Sequence, residues 1–223
     1  MSIAPGEHEL GLGMWRDGIL YVPKAAASRA PLALFIMLHG GGDRADQMRY
    51  MFPVAEELGV VVLAPDARDN TWDGIDSRIG PDIEFIDEAL KHTFARVAID
   101  PQRIALGGAS DGASYALSLG LINGDLFTHI AAFAPGWIFR PGPAVGKPRI
   151  YVAHGTRDNV LPIDYTSRLM VPRLREAGYD VTYREFDGVH AVPAPIAREA
   201  LEWLTSPSRQ GFLDGGSVRS FHP

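Results

Sequence analysis

The chain contains no cysteine, so disulfides, thiolate nucleophiles and cysteine-ligated zinc or iron–sulfur centres are excluded, and any nucleophile must be an oxygen or a nitrogen. It has no apolar run near the roughly 18 residues needed to span a bilayer. The first ten residues are polar and acidic, without a basic head or an apolar stretch. That reads as a cytoplasmic protein with no secretory leader and no integral membrane association. A basic excess is missing too: 21 Lys+Arg stand against 27 Asp+Glu, a net charge of −6. Such a chain has no field for gathering a phosphate backbone, which argues against nucleic acid as a partner. Neither an internal repeat nor a low-complexity block is present. What remains is ordinary globular composition, 46% hydrophobic and 22% charged over 223 residues, enough for one core. We read one domain over 1–205 and a flexible Ser- and Gly-rich tail over 206–223, in which Phe212, Leu213 and Phe221 are the apolar exceptions.

Short apolar runs alternate with amphipathic segments, the pattern of an α/β fold. Asp17-Gly18 between β-forming residues over 14–22 predicts a hairpin at an antiparallel edge. The runs 32–38, 60–64, 103–107, 130–134 and 150–153 are unalternating and too short for helices, as strands buried on both faces should be. A mostly parallel central sheet with helices on both faces follows, with 181–186 as a further strand. Helices are expected over 45–58, interrupted at Pro53, and over 82–94, capped by Asp82, where Ile83, Ile86, Leu90 and Phe94 repeat at helical spacing. Further helices are expected over 113–122, over 164–177 with Pro172 inside and Asp164 as cap, and over 195–204.

Gly108-Ala109-Ser110-Asp111-Gly112 is a G-x-S-x-G between a predicted strand and a predicted helix. In that context the small flanking residues permit a sharp turn that leaves the Ser110 hydroxyl exposed above the sheet, as a nucleophile requires. His39-Gly40-Gly41-Gly42-Asp43 ends the strand 32–38. Its consecutive glycines present bare N–H groups, suited to an oxyanion, and it matches neither the dinucleotide nor the P-loop pattern. An acid and a base should follow in the order Ser, Asp/Glu, His. Asp158 in His154-Gly155-Thr156-Arg157-Asp158 lies just past a predicted strand; Asp164 and Asp187 compete with it as cap and turn residues. Of seven histidines, His190 alone sits beyond the strand 181–186 and before the last helix. His39 and His154 read as shaping their glycine loops, and His8, His92, His129 and His222 as surface or tail residues. Asp69-Asn70-Thr71-Trp72-Asp73-Gly74 imitates the start of a calcium loop, but position twelve is Gly80 where a bidentate Glu is needed. No metal site is expected.

These motifs, with Val160-Leu161-Pro162-Ile163 and Gly188-Val189-His190, resemble the phospholipase/carboxylesterase group of α/β-hydrolases, the small serine esterases related to acyl-protein thioesterases, over roughly 32–204. The resemblance implies an α/β-hydrolase fold, a triad of Ser110, Asp158 and His190, an oxyanion hole from the N–H groups of Gly41 and Asp111, and acyl transfer through an acyl-enzyme without a cofactor. Its expected partner is a small-molecule ester, and it leaves a homodimer open. Where thioesterase relatives carry Gln and then Gly-Gly after the serine, this chain has Asp111, Gly112 and Ala113. The departure leaves carboxylesterase as the reading and brings feruloyl and polyester esterases in as neighbours, with lysophospholipase or thioesterase as the alternative. An acyltransferase would use the same triad, whereas a non-catalytic binder on this scaffold would have lost the serine or the histidine. Only 135–148 separates two strands, too few residues for a helical lid. Trp72 and Trp137, in loops at the carboxyl edge, are expected to wall an apolar acyl or aromatic pocket.

Overall fold

A computed structural model describes residues 3–13, 15–28, 31–73, 80–139 and 142–206. The tail expected to be flexible, with His222 and its apolar residues, therefore lies outside the described residues apart from Ser206. Eight strands form one sheet: β1 (Gly6–Glu9), β2 (Gly18–Val22), β3 (Leu32–Leu38), β4 (Val60–Pro65), β5 (Ile99–Ala109), β6 (His129–Phe133), β7 (Arg149–Gly155) and β8 (Val181–Phe186). Their order is β1-β2-β4-β3-β5-β6-β7-β8. The pairs β1·β2 and β2·β4 are antiparallel and the rest parallel, as the unalternating apolar runs require. Within β3 every residue is buried, yet the two faces differ in partner. Leu34, Ile36 and Leu38 pack under α2 (Pro81–Phe94) and α3 (Asp111–Ile122), while Phe35 and Met37 pack under α1 (Phe52–Leu58) and α5 (Ala194–Thr205). A third cluster joins α3 and α4 (Ser167–Glu176) to β6 and β7. Among the described residues, no helix is long and apolar enough to cross a membrane.

Several local expectations are corrected. The hairpin exists, but Asp17-Gly18 is not its two-residue turn. β1 ends at Glu9 and Gly18 opens β2, and the Asp17 carboxylate accepts the N–H groups of Gly11, Leu12 and Gly13 at 2.7–3.0 Å. Residues 45–58 divide into a 3-10 segment (Ala45–Met51) and α1, with Pro53 in the first turn of α1, where its missing N–H has no partner to lose. Asp82 does not cap α2. It is buried within the first turn, and its carboxylate accepts the N–H groups of Arg68 and Asp73, each at 2.6 Å. The capping acceptor is Asp73, whose Oδ2 takes the N–H groups of Gly80 and Asp82 at 3.0 Å. Asp164 is likewise no cap: it lies in the 3-10 turn Ile163–Tyr165 and accepts Arg168 at 2.7 Å. His129, expected at the surface, is buried edge-on against Trp203, with ring centroids 4.9 Å apart.

Candidate active site

Ser110 sits between β5 and α3 at φ 54°, ψ −117°, a conformation that costs a non-glycine residue energy and persists only where packing imposes it. The imposing contacts are visible on both flanks. A Cβ at Gly108 would lie 2.3 Å from the Gly112 carbonyl, and one at Gly112 would lie 2.4 Å from the His39 carbonyl oxygen. Only glycines let β5, α3 and the end of β3 come this close. The Ser110 N–H donates to Phe133 O at 2.9 Å, which ties the turn to β6. The N-terminus of α3 then points at the serine and favours negative charge there.

Asp158 and His190 come from separate loops held side by side: Thr156 N–H donates to Phe186 O and Arg157 N–H to Gly188 O, at 2.8 and 2.9 Å. His190 Nδ1 lies 2.6 Å from Asp158 Oδ2. Asp158 Oδ1 accepts the N–H groups of Val160 and Leu161 at 2.9 and 2.8 Å. Burial by itself would raise the Asp158 carboxyl, but the bonds from His190, Leu161 and Val160 outweigh it and hold the group below its ordinary value. An ionised carboxylate only accepts, so the neutral form of the His190 imidazole that faces it carries its proton on Nδ1 and has its lone pair on Nε2. The competitors are elsewhere. Asp187 is exposed and pairs with Arg157 at 3.1 Å, which also removes Arg157 as a partner for Asp158. Ser110 and His190 line one hollow.

His154 has a part that the sequence reading missed. Its Nε2 faces Leu161 O at 2.8 Å and Asp158 Oδ2 at 3.1 Å, and its Nδ1 faces Ser167 Oγ at 2.7 Å. Burial drives this imidazole below its ordinary value despite Leu161 and Asp158, so it is neutral and donates from Nε2 to two acceptors. The i,i+4 spacing of His154 and Asp158 was the available signal.

The glycine loop is fastened by His39, whose Nδ1 lies 2.7 Å from Gly40 O and whose Nε2 accepts the Ala67 N–H at 3.0 Å. Among the described residues, neither the Gly41 N–H nor the Asp111 N–H is taken up by another group. The Asp111 carboxylate accepts Thr71 Oγ1 at 2.8 Å and lies against Gly41.

Trp72 is not on the rim. It is fully buried, stacks on Tyr115 at 5.4 Å and donates its indole N–H to His39 O at 2.9 Å. It therefore supports the glycine loop from beneath, because the carbonyl at the end of β3 gave the indole a partner in the core. Trp137 is 40% exposed, but it lines a groove of about 390 Å³ with Tyr165, Leu169 and Met170, separate from the hollow of about 210 Å³ at Ser110. The two hollows approach each other along one loop, since Ala134 lines the first and Gly136 the second. The Gly136 N–H is anchored to Ser114 Oγ at 3.0 Å. Asp43, Gln47 and Tyr50 line the serine's hollow, and no sequence motif had singled out the last two.

No protein-family model and no curated protein sequence matches the chain. Solved structures do. Esterase PE8 superposes with a TM-score of 0.69 at 21% identity, over 86% of this chain and 98% of that one. FphF of Staphylococcus aureus, a fluorophosphonate-binding serine hydrolase, gives a TM-score of 0.71 at 15% identity over 92% and 100%. The CE1 ferulic acid esterase of Anaeromyces mucronatus gives 0.68 at 17% over 92% and 91%. With the sheet order, the strand-turn-helix at Ser110 and these superpositions together, the chain has the α/β-hydrolase fold.

Proposed function

We propose that the protein is a serine carboxylesterase acting through an acyl-enzyme on short-chain or aromatic esters. The observation that carries this reading is that His190, paired with the buried Asp158, lines the same hollow as a serine held at positive φ on the turn into α3. His190 Nε2 takes the Ser110 proton as Oγ attacks the acyl carbonyl, and Asp158 stabilises the imidazolium. The oxyanion falls to the Gly41 and Asp111 N–H groups. His190 returns the proton to the leaving alcohol, then activates water to release the acid. The chain's own residues account for every proton moved, and the reading needs no cofactor.

Size supports small substrates. The hollow of about 210 Å³ is below the roughly 300 Å³ at which drug-sized pockets begin, and an aromatic or medium acyl arm would extend along Gly136 into the Trp137 groove. The test is fluorophosphonate labelling with peptide mass spectrometry, together with turnover of p-nitrophenyl esters of rising chain length. Ser110 should be the labelled residue, and Ser110→Ala should lower kcat by on the order of 10⁴ to 10⁶ with the fold retained. Wild-type rates in that variant would refute the assignment. A kcat/KM that still rises beyond eight acyl carbons would instead favour the lysophospholipase or thioesterase alternative.

A further inference from the structure

The hollow at Ser110 is chemically one-sided. Asp43 Oδ2 lies 3.1 Å, and Ser110 Cβ 3.6 Å, from the point that a Cβ on Gly40 would occupy, so the carboxylate and the nucleophile flank the same spot. Asp43 forms no salt bridge and its carboxylate accepts no hydrogen bond among the described residues. Gln47 and Tyr50 continue this wall, and no Lys or Arg lines the hollow among the described residues. The Tyr50 hydroxyl lines the same hollow and, with an ordinary phenol pKa of about 10, is a neutral hydrogen-bonding group at working pH. A second carboxylate, Asp111, flanks the next residue of the glycine loop, Gly41. The chain's net charge of −6 adds a long-range field of the same sign, which raises the local concentration of cations and lowers that of anions.

From this wall we infer that Asp43 is a specificity-determining residue that selects esters carrying an ammonium group on the arm seated in the hollow and rejects esters carrying a carboxylate there. The inference deepens the esterase reading and rests on it. A carboxylate with no protein partner among the described residues, half-buried in the serine's hollow, is left for the substrate to pair with. Gln47 and Tyr50 supply oxygen acceptors for the remaining N–H groups of a primary ammonium. A carboxylate in the same place would meet a like charge in a partly desolvated hollow and find no cation to offset it. Met48, Phe133 and Val192, which also line the hollow, accommodate the methylenes.

The experiment compares kcat/KM of the purified full chain for matched p-nitrophenyl esters, each divided by its rate of hydroxide hydrolysis to remove intrinsic reactivity. Butyrate, 3-aminopropionate and hemisuccinate present a methyl, an ammonium and a carboxylate on similar acyl arms. Acetylcholine against 3,3-dimethylbutyl acetate makes the same comparison for the alcohol arm. In at least one series the cation should exceed its neutral match by about tenfold at low ionic strength and fall toward it in about 0.5 M salt, where charges are screened within a few ångströms. Hemisuccinate should fall about tenfold below butyrate if the acyl arm is the one seated. In D43N the cation-to-neutral ratio should fall toward one, and in Q47E it should rise, while fluorophosphonate labelling of Ser110 reports that each variant is folded. Turnover of neutral esters with no cation preference in either series, or a preference that survives D43N, overturns the inference and leaves the esterase reading standing. No turnover of any ester and no labelling of Ser110 would sink both.

Discussion

Asp158 accepts four hydrogen bonds, two at each oxygen, and is the residue on which the site's geometry converges. Replacing it with Asn keeps the shape but offers His190 Nδ1 an amide that stabilises the wrong tautomer, so Asp158→Asn should lower kcat about 10⁴-fold on a p-nitrophenyl ester. Asp187→Asn only removes an exposed pair with Arg157 and should stay near wild type. Steady-state kinetics of the two variants side by side decide the matter, and a reversed outcome would make Asp187 the orienting acid. Sequence order was enough to select Asp158 and His190 as a pair, because the strands that precede them end at the same edge of a parallel sheet. It could not show that His154 shares the carboxylate, or that Asp43 lines the serine's hollow. Those are side-chain directions, set by what packs around each loop.

At the scale of elements, the end of β3, the elbow after β5 and the first turn of α3 form one unit with no room between them. Gly112→Ala would place a methyl 2.4 Å from the His39 carbonyl oxygen; an overpacked contact of this kind costs about 1–3 kcal/mol. It should also displace the glycine loop, so urea unfolding and kcat should both suffer. Trp72→Phe tests the same unit from below. Phe preserves most of the apolar volume but leaves the His39 carbonyl, which accepts the indole N–H at 2.9 Å, without that donor, at a cost of about 1–3 kcal/mol. A denaturation midpoint unchanged from wild type would show that this bond contributes nothing. The elements were legible where apolar, β-branched or aromatic side chains mark them, whether all of the strand is buried, as in β3, or little of it, as in β8. The runs 32–38 and 181–186 match β3 and β8 residue for residue. By contrast β1, Gly-Glu-His-Glu, escaped notice because its alternation of half-buried and exposed residues contains no large apolar side chain. It is a strand only because β2 offers an edge to pair with. Trp137 belongs at this scale too: with its ring on the groove beside Leu169, Trp137→Ala should lower kcat/KM for an aromatic ester about tenfold more than for an acetate.

Across the whole molecule, three buried imidazoles couple folding to pH. Burial lowers His39 and His154, and it lowers His129 to about 4, with the Arg149 charge adding to the effect. In the unfolded chain each would bind its proton near the ordinary value of 6.5, so below that pH the unfolded state holds more protons than the folded one. Stability is therefore complete above about pH 6.5 and is lost as pH falls toward 4, by up to about 1.4 kcal/mol per pH unit for each proton taken up. Urea unfolding at pH 7.5, 6 and 5 should show the decline, and His129→Gln should flatten it; an unchanged slope in that variant would place the coupling elsewhere. The sequence by itself determined the layered architecture, the parallel core strands and the identities of Ser110, Asp158 and His190 as candidates. These depend on local patterns, namely runs of apolar residues, glycines at a turn, and the order of loops along the chain. Only the tertiary structure decided that Trp72 is a prop and not a wall, that Asp73 and not Asp82 caps α2, that His129 is buried, and that Asp43 shares the hollow with the serine. Each of those depends on which partner a distant segment brings within hydrogen-bonding or packing distance, and such a partner is not encoded in the residue's own neighbours.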